Sequence, residues 1–192
     1  MLQQPRFVAV TGPPCAGKST VGRLLARILR APHLEMDQFR ARILPLSDQR
    51  VDDRDVAYEA MHFAAESLAG WCQTAILDAT YTATPCRTGL VDVVERTGGA
   101  LFVIECYVSA AAAAERFSSR DSHPAVDLTE SRVRTLAEDY PYFTPACRIR
   151  TDSDTPEYGR ILELLAGPAL DREARDAWTR AGLPREKSAV TL

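Results

Sequence analysis

Residues 12–19 read Gly12-Pro13-Pro14-Cys15-Ala16-Gly17-Lys18-Ser19, a complete G-x-x-x-x-G-K-[ST] Walker A phosphate loop that follows directly on the apolar run Phe7-Val8-Ala9-Val10. The spacing has a physical basis. Glycines let backbone N–H groups curl around an anionic phosphate chain, and the start of a helix just beyond them adds a favourable dipole. Val21, Leu24, Leu25, Ile28 and Leu29 supply that helix with an apolar stripe at 3.6-residue spacing. Strand, glycine loop and helix in this order predict a phosphate-binding unit that takes a nucleoside triphosphate. The expected nucleotide contacts are Gly12, Pro13, Pro14, Cys15, Ala16, Gly17, Lys18, Ser19 and Thr20. Lys18 is placed to reach the β- and γ-phosphates, and the Ser19 hydroxyl to ligate Mg2+.

Working outward, strands alternate with helices. A short strand is expected at 33–36 and a short helix at 38–42, then a loop at 45–53 and an amphipathic helix at 56–68. A strand at 74–77 and a helix at 85–96 follow, then a strand at 101–108, a helix at 110–120 capped by Ser109, and a helix at 129–139. The last expected elements are a strand at 147–150 and a helix at 155–165. Such alternation predicts a three-layer α/β sandwich, a parallel sheet with helices on both faces and ligands at the carboxyl ends of its strands. Residues 1–166 are expected to form one domain, with a polar excursion at about 118–136, and residues 167–192 a weakly packed or disordered tail, because 183–192 offer little to bury.

Composition narrows the function classes. The 192 residues carry a net charge of −3, so the overall field does not favour a long polyanion; nucleic acid is a possible but disfavoured partner. No run approaches a membrane span and no extended apolar signal region is present, which predicts a cytoplasmic protein. Cys15, Cys72, Cys86, Cys106 and Cys147 are odd in number and scattered, pointing to reduced thiols. Arginine dominates the basic residues, Lys18 and Lys187 being the two lysines, and Lys18 stands in the phosphate loop.

Further residues carry candidate chemistry. Asp37-Gln38-Phe39-Arg40 places a carboxylate and a guanidinium one helical turn apart after the second strand. Asp37 can accept a proton from an attacking hydroxyl while Arg40 anchors the acceptor; the alternative is a helix cap and a solvated arginine. Asp78, after Thr74-Ala75-Ile76-Leu77, resembles a Walker B carboxylate that orients Mg2+ with Ser19. Thr80 and Arg87 extend the same edge as candidate acceptor contacts. Arg116, Arg120, Arg132 and Arg134 flank the polar excursion, and Arg116 and Arg120 are the chosen pair for neutralising the transferred phosphoryl group. His33, His62 and His123 lack metal-ligand spacing; His33 and His62 are read as packing or surface residues and His123 as a lid contact. Tyr140, Tyr142 and Phe143 are read either as a stacking platform or as a plug for the core, and Trp71 as a core residue.

The phosphate loop, D-x-x-R at 37–40, Asp78-Ala79-Thr80 and the arginine-bearing segment 116–134 together resemble the small P-loop kinases grouped around the polynucleotide 5′-hydroxyl kinase domain. This group is also described as zeta-toxin-like or AAA-type ATP-binding, and it includes chloramphenicol kinase. Shikimate-kinase-like and gluconate-kinase-like enzymes share the same early architecture. The resemblance covers residues 6–166 and implies a five-stranded core in the order 2-3-1-4-5, a nucleoside-kinase-like lid at about 118–136, and ATP with Mg2+ as cofactors. It further implies Asp37 as general base, Arg40 as acceptor contact and lid arginines from Arg116 onward. The expected activity is transfer of the γ-phosphoryl group of ATP to a hydroxyl of a small-molecule or nucleotide-like acceptor by a monomer or homodimer. The alternatives are a polynucleotide 5′-hydroxyl kinase, or a nucleotide-gated ATPase or binding module without an acceptor.

Overall fold

The computed structural model describes residues 4–45, 51–119, 128–152 and 157–184. Its centre is a parallel sheet built from β1 (Arg6–Thr11), β2 (His33–Glu35), β3 (Thr74–Asp78), β4 (Ala100–Tyr107) and β5 (Arg148–Arg150), in the order β2-β3-β1-β4-β5. Connections run through α1 (Lys18–Leu29), α2 (Met36–Ile43), α3 (Val51–Leu68), α4 (Thr84–Thr97), α5 (Ala110–Ser118), α6 (Glu130–Glu138) and α7 (Tyr158–Ala166), and the chain continues into α8 (Arg172–Ala181). The sheet order is the one the sequence implied. Helix α3 begins at Val51, inside the segment expected to be a loop.

Period-2 alternation sorts the strand residues between two cores. Phe7 and Ala9 of β1, Ala75 and Leu77 of β3, and Leu101 and Val103 of β4 join α3, α4 and α8 on one face. Val8, Val10, Ile76, Ile104 and Cys106 join α1, α6 and α7 on the other. Because the central strands are apolar on both sides, they cannot sit at a solvated edge.

The segment expected to be a weakly packed tail is, through residue 184, part of the packed body. Asp171 caps α8 by accepting from the Ala174 amide at 2.8 Å, and Trp178 is fully buried in the α3/α4 core. Leu183 then exchanges backbone hydrogen bonds with Thr82 (2.9 Å) and Thr84 (2.8 Å). The large apolar residue that anchors α8 is a single tryptophan in an otherwise polar helix. Residues 185–192 lie outside the described residues.

Arg87 is also placed differently from its expected role as an acceptor contact. It is fully buried and donates to the carbonyls of Tyr81 (2.7 Å), Trp178 (2.7 Å) and Pro141 (2.8 Å). Its guanidinium therefore staples the β3–α4 turn to α8 and to the segment before β5. Tyr81 is held there at φ 49°, a conformation that costs a buried aromatic about 1 kcal/mol or more and persists only where the surroundings over-determine it. Trp71, expected in the core, is 90% exposed in the turn after α3.

His62 of α3 is buried against Tyr81, its Nε2 3.1 Å from the tyrosine hydroxyl. The ring fits because α4 carries Gly89 opposite it: a Cβ there would stand 2.8 Å from Nδ1. Burial, with a smaller contribution from the Arg96 guanidinium, pulls the His62 pKa down to about 4. The folded chain thus keeps a neutral imidazole that the unfolded chain protonates near its ordinary value of about 6.5. This contribution to stability is fully present above pH 6.5 and is lost as the pH falls towards 4, by about 3 kcal/mol in all. Urea unfolding of the wild type and His62→Gln at pH 7, 5.5 and 4.5 tests this; the stability difference between them should shrink steadily with acidification, and a pH-independent difference would contradict it.

Candidate active site

The phosphate loop leaves β1 through Gly12, at φ 142°, a conformation that favours glycine; a Cβ there would also lie 2.5 Å from the Cys106 carbonyl oxygen on β4. Cys15 (φ 61°) and Gly17 (φ 82°) adopt left-handed backbone, and this turns the chain around the hollow before α1 starts at Lys18. No side chain caps that helix start, so its first turn presents its dipole to whatever anion enters the loop. Pro13, Pro14, Cys15 and Ala16 form the loop wall, and Thr20 closes the first helical turn by donating its amide to the Gly17 carbonyl (3.1 Å). Lys18 Nζ donates across the loop to the Pro13 carbonyl at 2.8 Å, which holds the ammonium over the phosphate hollow.

Two contacts brace the outer wall. The Thr151 hydroxyl, just past β5, donates to the Ala16 carbonyl at 2.9 Å. Arg116 Nη1 donates to the Cys15 carbonyl at 3.2 Å and to Thr151 Oγ1 at 3.3 Å, while Nη2 donates to the Thr151 carbonyl. Arg116 therefore does reach the phosphate loop, but as a tie between its carbonyls and the β5 end. Arg120 and His123 fall outside the described residues. Arg134 is exposed and pairs with Glu130 one turn away at 3.8 Å, a geometry worth a few tenths of a kcal/mol at most.

On the inner side, strand register brings together residues that are far apart in sequence. Glu35 pairs with Asp78 across β2 and β3, and period-2 alternation puts His33 on the same face as Glu35. Ser19 Oγ donates to Glu35 Oε1 at 3.2 Å, Gln38 Nε2 donates to Glu35 Oε2 at 2.7 Å, and His33 Nε2 lies 3.2 Å from Asp78 Oδ2. One donor atom from each of His33, Glu35 and Asp78 falls within 4.8 Å of the others. Ser19 and Asp78, named from the sequence, thus share one cluster with two residues that were not. Glu35 had a readable signal, since it precedes Asp37 by two residues at a strand end. His33, read as packing or surface, required the strand pairing to be known.

Asp37 is half-buried in the first turn of α2 and, among the described residues, makes no hydrogen bond or ion pair. Its charge is favourable at a helix N-terminus. Arg40, one turn on, is 3% exposed and engaged in polar contact, so the solvated-arginine alternative does not hold. Thr80 is half-buried with its hydroxyl 3.1 Å from the Tyr58 hydroxyl, and its carbonyl accepts from the Tyr140 hydroxyl.

Tyr140 and Tyr142 meet edge-on with centroids 4.7 Å apart. Beside them Glu105, fully buried at the end of β4, accepts from the Phe143 amide at 2.7 Å. Burial pushes the Glu105 carboxyl pKa up, against the opposing pull of these backbone amides. Tyr140 is buried and Phe143 packs against the α3/α4 core, as the plug reading expects.

The model of the AAA domain family matches residues 7–142. No curated protein matches the chain. Among solved structures, a kinase candidate from Chloroflexus aurantiacus J-10-fl is 21% identical, with a TM-score of 0.71 over 85% of this chain and 98% of its own. The APS kinase of Mycobacterium tuberculosis, solved with AMPPNP and APS, is 20% identical with a TM-score of 0.66, covering 86% of this chain and 99% of that one. A chain of the Pnkp1/Rnl/Hen1 RNA repair complex is 17% identical with a TM-score of 0.53, over 72% of this chain and 44% of that one. At these identities the likeness carries the fold and leaves the acceptor open. Among the described residues no helix is long and apolar enough to cross a membrane.

Proposed function

The chain belongs to the AAA domain family, and from that premise we propose that it is an ATP-dependent phosphotransferase delivering the γ-phosphoryl group to a hydroxyl of a small-molecule or nucleotide-like acceptor. The observation that carries this reading is the adjacency of two half-sites. A glycine-turned loop with Lys18 held over it adjoins, through the Ser19–Glu35 hydrogen bond, a strand end that leads directly into Asp37, which makes no hydrogen bond or ion pair among the described residues. A binding module that only gates a partner has no use for the second half.

In this proposal the loop amides and Lys18 hold the donor phosphates and offset their charge. Asp37 accepts the proton of the acceptor hydroxyl as it attacks, and Arg40 helps shape the acceptor side. Arg116 keeps the loop rigid and adds positive charge at its rim, and Arg116 and Arg120 are the arginines assigned to neutralising the transferred phosphoryl group. The hydroxyl and carboxylates of Ser19, Glu35 and Asp78 are hard oxygen donors and suit Mg2+. When bound with nucleotide, Mg2+ supplies charge neutralisation at the phosphates. A monomer or homodimer acting in the cytoplasm completes the reading.

The test is ADP release by purified protein across nucleosides, sugars, hydroxylated antibiotics and 5′-hydroxyl oligonucleotides. Lys18→Ala should lower acceptor-dependent turnover by about 10^2–10^3-fold or more, the usual loss when one preorganised charge donor is removed. Nucleotide binding without any acceptor response across the panel would turn the reading towards a gated ATPase. A response to oligonucleotides alone, steeply weakened by salt, would turn it towards end phosphorylation.

A further inference from the structure

We propose that His33, Glu35 and Asp78 form a site for a first-row transition-metal dication that the protein holds without nucleotide, with the His33 imidazole as its nitrogen ligand. The site shares Asp78 and Glu35 with the Mg2+ reading above, but it does not depend on phosphoryl transfer.

Three observations support it. First, the ligands are convergent by construction: Glu35 and Asp78 are paired in register, and His33 stands on the same face of β2. Second, their spacing suits a single ion. Donor atoms about 2.1–2.2 Å from one octahedral ion lie roughly 3.0–4.4 Å apart. His33 Nε2 and Asp78 Oδ2 are already 3.2 Å apart, and all three donors lie within 4.8 Å, so closure needs a shift of a few tenths of an ångström. Third, the imidazole has a built seat. Gly22 of α1 faces it, and a Cβ at that position would stand 2.4 Å from Nε2, so the helix admits the ring only because the residue there is glycine. The Asp78 side chain is 2% exposed and that of His33 13%, which places both donors where water competes weakly.

The chemistry of the set separates it from an ordinary phosphate-loop Mg2+ site. Mg2+ keeps its waters and takes oxygen donors, whereas an imidazole nitrogen favours transition-metal ions. A loop serine and one carboxylate cannot retain an ion alone; one imidazole and two carboxylates from neighbouring strands supply three protein ligands before any phosphate arrives.

MnCl2 titrated into nucleotide-free protein, followed by electron paramagnetic resonance, should show one tightly held ion per chain. Pulsed echo-envelope modulation should carry the 14N signature of a coordinated imidazole, replaced by the 15N pattern when the protein is made with 15N-histidine. His33→Gln should remove the signature and weaken Mn2+ binding by about tenfold or more, using the losses known for metal-site neighbours as a floor. Gly22→Ala, which keeps all three ligand residues but puts a Cβ where His33 Nε2 now lies, should weaken it comparably and serves if His33→Gln fails to fold. The proposal is overturned if nucleotide-free protein holds no Mn2+, if bound Mn2+ shows no histidine nitrogen, or if either folded variant binds Mn2+ as the wild type does. Since these readouts use no nucleotide and no acceptor, their failure leaves the phosphotransferase reading standing, and a failed acceptor panel leaves the metal site standing.

Discussion

Asp37→Asn is expected to lower acceptor-dependent ADP release by about 10^2–10^4-fold, the range a positioned general base contributes, while the affinity for nucleotide changes less than about twofold. The separation of the two readouts follows from the structure. The phosphate hollow is walled by residues 12–19 and spanned by Lys18, and among the described residues its hydrogen bond towards the start of α2 is the one from Ser19 to Glu35 at the end of β2. Asp37 lies two residues beyond that contact and holds no partner among the described residues. Asparagine keeps the shape and can still lie at the helix start; it loses the ability to take a proton. The structural cost should be small, about 0.3–1 kcal/mol from the lost charge at a helix N-terminus, so thermal unfolding reports whether a loss of rate is a loss of fold. Retention of more than about a tenth of the activity would remove Asp37 from the base position. A parallel collapse of nucleotide affinity would mean that α2 helps build the donor site.

The phosphate loop was legible because its chemistry is local: glycines at two backbone positions, a lysine and a hydroxyl within eight consecutive residues. Sheet order was legible at one remove, through the resemblance that this loop and the D-x-x-R segment carry. The helix ends were readable where caps are local, as at Ser109, whose hydroxyl accepts from the Ala112 amide at 3.3 Å, and at Thr129, which does the same for Arg132 at 3.2 Å.

What stayed hidden depends on pairs that only the folded sheet brings together. His33 becomes a partner of Asp78 because β2 pairs with β3; the forty-five-residue separation carries no periodicity that announces it. Gly22 and Gly89 look like neutral or unfavourable helix residues, with a propensity cost of about 1 kcal/mol each relative to alanine. Each is the notch for a histidine ring on a neighbouring element. Arg87 misled for a related reason. An arginine in the first turn of the helix that follows Asp78-Ala79-Thr80 suggests an anion contact, yet the chain carries three carbonyls to it from Tyr81, Pro141 and Trp178. Arg116, expected among the lid arginines, also holds the Cys15 carbonyl and Thr151, contacts a sequence does not display because backbone carbonyls carry no residue identity.

Trp178→Ala is expected to destabilise the protein by about 3–5 kcal/mol, the usual cost of removing a large buried aromatic, and so to lower the urea midpoint sharply at neutral pH. The indole is fully buried in the core shared with α3 and α4, lies 5.7 Å from the Tyr81 ring, and has the Arg87 guanidinium 5.3 Å from its centroid. Removing it opens a cavity beside a buried cation and loosens the α8 carbonyl that this cation requires. A weakly packed tail would instead tolerate alanine within about 0.5 kcal/mol, as exposed sites do. Trp178→Phe separates packing from polarity. It keeps most of the apolar volume and removes an indole N–H that has no hydrogen-bond partner among the described residues, so it should cost roughly half as much or less. Because Tyr81 follows Asp78-Ala79-Thr80 directly and is pinned by Arg87 and Trp178 together, the alanine variant should also lose turnover at temperatures where it remains folded. Equal nucleotide affinity with reduced acceptor-dependent rate would show that α8 stabilises the acceptor edge of the sheet from behind.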